Sequence, residues 1–211
     1  GHVIPAIILY EHLSEKANIT IAIDKRGLKY LDEKISDVEV IDTPKLDNIF
    51  FLPLNLIVIL FLILKSILLI KKKKIRKLVS TGGYMSLPLV LAAKFLKIDI
   101  YLIEPNKVLG RANRFFLNSC KKIFCYPGEI KNFPENKKNK IVTINPLVRK
   151  KVYSLYPLSK TEKKTLLVVG GSQGAKIFDE NLKNIILKIS KKKQIKIIHQ
   201  TSEKNISNLK N

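Results

Sequence analysis

Lys77-Leu78-Val79-Ser80-Thr81-Gly82-Gly83-Tyr84-Met85-Ser86-Leu87-Pro88 is the stretch that decides the fold. Residues 77–80 predict a short strand, the two glycines a tight turn, and 87–96 a helix with Pro88 near its start. A strand that turns through glycines into a helix opens a crossover unit. Its backbone N–H groups and the helix dipole favour an anion at the turn.

The pattern recurs on both sides. Upstream, the periodicity predicts a helix over 5–16, a strand over 18–24, a short helix over 27–35 and a strand over 38–42. Downstream it predicts a strand at 99–103, a helix at 108–118, and strands at 123–126 and 141–144. Strands separated by helices imply an α/β fold with a parallel sheet. Residues 131–140 are a polar loop, and 150–164, with Pro157 and five Lys, reads as a connector. The pattern then restarts with a strand at 165–169, the turn Gly170-Gly171, a helix at 175–189 and a strand at 195–200. The expected organisation is one Rossmann-like domain over 1–148, a linker over 149–164 and the first βαβ unit of a second, incomplete domain over 165–211.

With 211 residues, 46% apolar and 27% charged, the chain has a globular composition and enough length to bury a core. The net charge of +22 suggests an anionic partner, although a solvated basic surface would give the same total. Of the basic residues 34 are Lys and 5 are scattered Arg, which is not a base-reading surface, so no nucleic-acid partner is expected. Cys120 and Cys125 make neither a disulfide framework nor a zinc site. The start Gly1-His2-Val3-Ile4-Pro5 has no basic region followed by an apolar run, so no leader is expected and a reduced, cytoplasmic setting fits.

Residues 49–70 hold 18 apolar residues out of 22 and lead directly into Lys71-Lys72-Lys73-Lys74. Three readings stay open: a buried crossover helix, a helix lying in a membrane surface, and a span. Pro53 and Asn55 are expected to break the first turns, which leaves a helix from Leu56 of about 22 Å at 1.5 Å per residue. The Lys tract favours the interfacial reading, since each Lys near an anionic leaflet adds ~1 kcal/mol. Phe50, Phe51, Leu60 and Phe61 would then insert, with Lys71, Lys72, Lys73 and Lys74 on the head groups.

Three glycine turns carry the candidate chemistry: Gly1-His2, Thr81-Gly82-Gly83-Tyr84, and Gly170-Gly171-Ser172-Gln173-Gly174-Ala175. In the third, Ser172 and Gln173 add side-chain donors. Placed at the carboxyl ends of parallel strands, the turns would share the edge where nucleotides bind.

Four segments occur here in order: Gly1-His2-Val3-Ile4-Pro5-Ala6, residues 81–88, Glu104-Pro105-Asn106-Lys107-Val108-Leu109-Gly110-Arg111-Ala112-Asn113-Arg114, and residues 170–175. The series resembles the MurG family of peptidoglycan glycosyltransferases over essentially the whole chain. The resemblance implies a GT-B type fold of two facing Rossmann-like domains. It also implies inverting transfer of N-acetylglucosamine from UDP-N-acetylglucosamine to undecaprenyl-pyrophosphoryl-MurNAc-pentapeptide. No cofactor and no metal are implied. The expected place is peripheral, on an anionic membrane surface at the cytoplasmic face of the bacterial inner membrane.

Carried over by position, Gly1 and His2 resemble the end of the family's Thr-Gly-Gly-His loop, which makes His2 the expected base. Thr81, Gly82, Gly83 and Tyr84 correspond to an acceptor phosphate loop. The family's His-Glu-Gln-Asn reads Ile103-Glu104-Pro105-Asn106 here, giving Glu104 as a second candidate base or orienting group and Asn106 as a donor-sugar contact. Arg149 resembles the Arg of Gly-Asn-Pro-Val-Arg, with Ile144 in place of Gly and one residue inserted. Ser172 and Gln173 resemble the diphosphate contacts for UDP-N-acetylglucosamine, and His199-Gln200-Thr201 begins a later His-Gln-Thr-Gly element. The remaining sugar-nucleotide segments of the family would lie beyond Asn211 and the first glycines before Gly1, so the chain reads as truncated at both ends. The rival expectation is an inactive fragment that serves only as a basic membrane-lipid binder. A basic membrane or nucleic-acid adaptor is a further rival.

Overall fold

The computed structural model describes residues 2–32, 35–44, 52–154, 164–170, 176–192, 195–201 and 205–206. The chain divides into two compact units, Gly1–Ser154 and Leu155–Asn211.

In the first unit, strands β1 (Ile21–Ile23) and β2 (Val38–Val40) form a parallel pair. Strands β3 (Lys77–Ser80), β4 (Asp99–Glu104), β5 (Lys122–Cys125) and β6 (Ile141–Thr143) form a four-stranded parallel sheet in that order. The single sheet expected from the sequence is thus two hydrogen-bonded ladders among the described residues. Helices α1 (Val3–Leu13), α2 (Leu52–Lys72), α3 (Leu87–Phe95), α4 (Arg111–Phe116) and α5 (Lys150–Tyr153) connect them. Short 3-10 turns at Lys25–Tyr30, Tyr84–Ser86 and Glu135–Lys140 replace the expected helix at 27–35 and structure part of the 131–140 loop.

Strand β4 runs through the middle of the sheet, with Leu102 and Ile103 both at most 1% exposed. A strand buried on two faces loses the polar–apolar alternation, as parallel sheets require. Ala92 and Ala93 on α3 are fully buried and small, so that helix lies close to the sheet among Ile100, Leu102, Ile123 and Phe116. The predicted helix at 108–118 contracts to α4. Lys140 closes its end by donating to the carbonyls of Leu117, Asn118 and Cys120 at 2.8, 3.0 and 2.6 Å. The buried thiols of Cys120 and Cys125 carry no disulfide, and burial pushes Cys125 up to about 11.

Helix α2 departs most from expectation. It starts at Leu52, because Pro53 sits in the first turn, where its missing N–H is not needed. Its 21 residues rise about 31 Å, against the ~22 Å expected. It ends in a turn built on Lys74, whose φ is +51°, with Ile75 N–H donating to Ile70 O at 3.0 Å. Pro53–Lys72 is long and apolar enough to cross a membrane. One face, however, is packed on the protein: Ile59, Leu62, Ser66 and Ile70 are buried, and Leu62 meets Ile41 and Leu89. The other face presents Leu54, Ile57, Phe61, Leu64 and Leu68 to solvent, interrupted by exposed Lys65.

The second unit contains β7 (Thr165–Val168), α6 (Lys176–Lys192) and β8 (Lys196–His199), with β7 and β8 parallel. Asp179 of α6 fastens the segment after β8. It accepts from Thr201 Oγ1 and Asn205 Nδ2, each at 2.7 Å, and lies 3.0 Å from His199 Nε2. The hydrogen bonds from Asn205 and Thr201 hold its carboxyl below the usual range.

Truncating Leu102, which is fully buried, tests the placement of the core. Leu102→Ala is expected to destabilise the first unit by about 2–5 kcal/mol in urea unfolding, the usual cost of such a cavity.

Candidate functional site

The site forms where β3 and β4 end. Gly82 and Gly83 follow β3 with φ of +92° and +83°, values that L side chains rarely adopt. The imidazole of His2 lies against them. A Cβ at Gly83 would stand 3.0 Å from His2 Cδ2, and one at Gly82 would stand 3.2 Å from Cε1 and Nδ1. A side chain at either position would displace the ring.

A reciprocal pair locks the contact. His2 Nδ1 lies 2.7 Å from the Thr81 carbonyl, and Thr81 Oγ1 donates to the His2 carbonyl at 2.8 Å. A carbonyl can only accept, so the Nδ1 proton is placed by this bond. In the neutral ring the lone pair is then on Nε2, which is ready to take a proton. The turn is further fixed by Ser80 Oγ, which accepts from Gly82 N–H at 3.2 Å, and by Ser86 Oγ, which donates to Gly83 O at 2.7 Å.

Glu104 ends β4 and is 2% exposed. Its Oε1 accepts from Asn106 N–H at 3.1 Å and Asn106 Nδ2 at 2.9 Å. Its Oε2 accepts from Gly110 N–H at 2.8 Å and Asn113 Nδ2 at 2.9 Å. A Cβ at Gly110 would come within 3.1 Å of Oε2, so glycine makes this approach possible. Four donors occupy the carboxylate, so its geometry is that of an orienting group and not of the base considered from the sequence. It holds the Asn106 side chain by its Nδ2 as well as by its backbone N–H.

Asn113 joins the two loops. Its Nδ2 also donates to Ile103 O at 3.0 Å, and it lies 3.5 Å from the position a Gly82 Cβ would take. Its Oδ1 is buried and has no hydrogen-bond partner among the described residues. The sequence motif contains Asn113 but gave it no role. The contact with Gly82 bridges 31 positions, a separation that local pattern cannot register.

His2, Thr81, Gly82 and Gly83 are therefore brought together, with Glu104 and Asn106 adjoining through Asn113. Arg149 is not. Its Nε lies 3.7 Å from Glu11 Oε1, more than two turns along α1 from His2. The reason is local. Glu11 also accepts from Lys150 N–H at 3.1 Å, and His12 Nε2 lies 2.8 Å from the Val148 carbonyl, so 148–150 is bound to the far end of α1. Among the residues expected from sequence at a membrane surface, Leu60 and Phe61 are 62% and 66% exposed, and Lys71, Lys72 and Lys74 are exposed. Lys73 is instead paired with Asp37 at 2.5 Å and Glu39 at 3.7 Å. Gly1, Phe50, Phe51, Ser172 and Gln173 lie outside the described residues.

This is an α/β protein with a histidine held over a glycine turn at the carboxyl ends of parallel strands. The model of the glycosyltransferase family 28 N-terminal domain matches residues 1–125, and the chain belongs to that family.

Among curated relatives, the chain is 46% identical over 212 residues to a protein of Pelagibacter ubique (strain HTCC1062), covering 100% of this chain and 60% of that protein. It is 37% identical over 204 residues to one of Rickettsia canadensis (strain McKiel), covering 93% and 56%. Both are named UDP-N-acetylglucosamine–N-acetylmuramyl-(pentapeptide) pyrophosphoryl-undecaprenol N-acetylglucosamine transferase. Among solved structures, Acinetobacter baumannii MurG matches with a TM-score of 0.69 at 23% identity, over 100% of this chain and 58% of that one. A glycosyltransferase of Rickettsia africae ESF-5 matches with a TM-score of 0.59 at 14% identity, over 99% and 58%. The fold is therefore GT-B-like. The chain spans about three fifths of the length of its curated relatives.

Gly83→Ala tests the turn. The backbone at φ +83° and ψ 154° is nearly glycine-specific, so the substitution is expected to cost about 1–3 kcal/mol of stability. It should also shift the His2 ring resonances in NMR spectra; unchanged resonances would mean that the ring does not rest on this turn.

Proposed function

We propose that the protein containing this chain transfers N-acetylglucosamine from UDP-N-acetylglucosamine to undecaprenyl-pyrophosphoryl-MurNAc-pentapeptide, with inversion at the anomeric carbon. The observation that carries this reading is the His2 imidazole on the Gly82–Gly83 turn, its Nδ1 engaged by Thr81 O at 2.7 Å. Membership of family 28 and the names of the two relatives support the substrate pair.

His2 Nε2 takes the proton of the acceptor hydroxyl as its oxygen attacks the anomeric carbon and UDP departs. Thr81 keeps the tautomer and orientation of the ring. Asn106, held by Glu104, offers its carbonyl oxygen to a donor group of the sugar. The departing diphosphate falls to the backbone N–H groups of the 170–175 turn and to Ser172, an assignment that rests on sequence.

The outer face of α2 with Lys71, Lys72 and Lys74 fits a peripheral seat on an anionic membrane at the cytoplasmic face. The packed inner face keeps the helix on the protein, and the exposed leucines and Phe61 supply apolar area for the acyl boundary. Lys65 on the outer face opposes full burial in lipid.

Two outcomes check these assignments. In the transferase that includes this chain, His2→Ala is expected to lower kcat by about 10²–10⁴ with little change in the affinity for UDP-N-acetylglucosamine, the usual weight of a general base. Replacing Leu60 and Phe61 with Ser should weaken sedimentation with phosphatidylglycerol vesicles at least tenfold, the order expected from losing two inserted side chains.

A further inference from the structure

The 3-10 turn after β1 touches both sides of the contact between His2 and the glycine turn. Asp24 caps it, with Oδ1 accepting from Gly27 N–H at 2.9 Å. Gly27 is buried against the start of α1. A Cβ there would meet the Ile23 side chain and stand 3.1 Å from Val3 Cγ2. Val3 is the first residue of α1 and the neighbour of His2.

Arg26, one position before Gly27, reaches the other side. Its Nε donates to Asp24 Oδ2 at 3.0 Å, and its Nη2 donates both to Asp24 and to the hydroxyl of Tyr84. Its guanidinium carbon stands 5.2 Å from the centre of the Tyr84 ring. Tyr84 is the neighbour of Gly83. The turn after β1 therefore meets each partner of the His2–Gly83 contact one residue beyond the contact itself.

This arrangement removes a freedom that the direct contact leaves. His2 and the glycine turn are joined by hydrogen bonds through Thr81 alone, and two segments joined at one residue retain a rocking motion. A third segment that abuts α1 and grips Tyr84 opposes it. Arginine suits the task because its planar fork bonds in a fixed plane, whereas a Lys ammonium is a point charge on a flexible stem. An exposed arginine ordinarily samples many rotamers. Here Asp24, with a side chain only 11% exposed, holds the guanidinium in one.

We propose that Arg26 is a positioning residue for the His2 base: braced by Asp24, it clamps Tyr84 while Gly27 backs Val3, and together they set where the imidazole lies on the glycine turn. This role rests on the transferase reading given above and adds to it a side chain that touches no reacting atom and takes no proton. Its effect on the rate comes from geometry, to which proton transfer is steeply sensitive.

Steady-state kinetics of the transferase that includes this chain, in a double-mutant cycle with His2→Ala, test it. With His2 present, Arg26→Gln is expected to lower kcat about 10- to 100-fold, the cost of misplacing a catalytic group by about 1 Å. The KM for UDP-N-acetylglucosamine should stay within about twofold, because the lost interaction is not a donor contact. Arg26→Lys keeps the charge without the fork and should remain at least about fivefold below wild type. In the His2→Ala background, Arg26→Gln should cost nothing more, since residues that act as a unit are non-additive. Lys25→Gln removes a charge from the same turn, paired with Asp42 at 3.7 Å, and should leave kcat unchanged in both backgrounds.

An equal loss from Arg26→Gln in the two backgrounds would overturn the proposal, because Arg26 would then act on substrate or stability and not through His2. Wild-type kcat in Arg26→Gln or in Arg26→Lys would overturn it as well. If Arg26→Gln unfolds by circular dichroism, Tyr84→Phe carries the same cycle. It keeps the ring and drops the hydroxyl, and a smaller loss that vanishes with His2→Ala is expected; a loss that persists would overturn the clamp. No turnover by the wild-type transferase would count against the reaction and not against the clamp. The His2 ring resonances of this chain then decide: they should shift in Arg26→Gln and stay in Lys25→Gln, and unchanged resonances in Arg26→Gln would overturn the proposal.

Discussion

The absence of two Cβ atoms is the constraint on which the site depends. Gly82 and Gly83 take backbone conformations that L side chains rarely adopt, and the surface they leave open is occupied by the His2 ring. Thr81 then engages the ring through its carbonyl and the His2 carbonyl through its hydroxyl. Of its two ring nitrogens, Nδ1 is engaged by Thr81, and the proposed mechanism assigns Nε2 to the acceptor hydroxyl. Among the described residues, Ser80 and Ser86 hold the backbone of the turn, and Arg26 reaches the hydroxyl of Tyr84.

Helix α1 ties this arrangement to the end of the first unit. His2 stands at its amino end, while Glu11 and His12 near its carboxyl end bind the backbone of 148–150. Arg149 and Lys150 pair there with Glu11 and Glu15. The polypeptide leaving β6 is thus fastened to the same short helix that presents the imidazole. The basic residues have several such internal tasks. Lys140 closes α4, Lys73 pairs with Asp37 and Glu39, and Lys121 pairs with Asp99. Part of the positive surplus therefore serves the fold, while Lys71, Lys72 and Lys74 remain beside the apolar face of α2.

What was legible in the sequence follows the range of the forces involved. The strand at Lys77–Ser80 and the helix after the glycines were readable because pattern and punctuation are local. The start of α2 was misjudged because Pro53 was read as a breaker, although in a first turn it lacks only a hydrogen bond that the helix does not need. The helix expected at 108–118 shortened because Glu104 holds Gly110 and Asn106 in a loop, a tertiary demand that periodicity does not encode. In the candidate site, His2 and the 81–84 turn were singled out by motif, and the structure sets the His2 ring on that turn. The engaged state of Glu104, the pairing of Arg149 with Glu11 and the reach of Arg26 across 58 positions to Tyr84 were not, since each depends on partners from elsewhere in the fold.

The tautomer of His2 bears most directly on this account. In a chain labelled with ¹⁵N-histidine, with His12 and His199 assigned by substitution, long-range ¹⁵N–¹H correlation spectra at neutral pH report which ring nitrogen carries the proton. The account predicts a protonated Nδ1 and an unprotonated Nε2 for His2. A ring protonated at Nε2 with a bare Nδ1 would contradict it, because the nitrogen facing Thr81 would then have nothing to donate and the nitrogen meant for the acceptor would have no lone pair to offer.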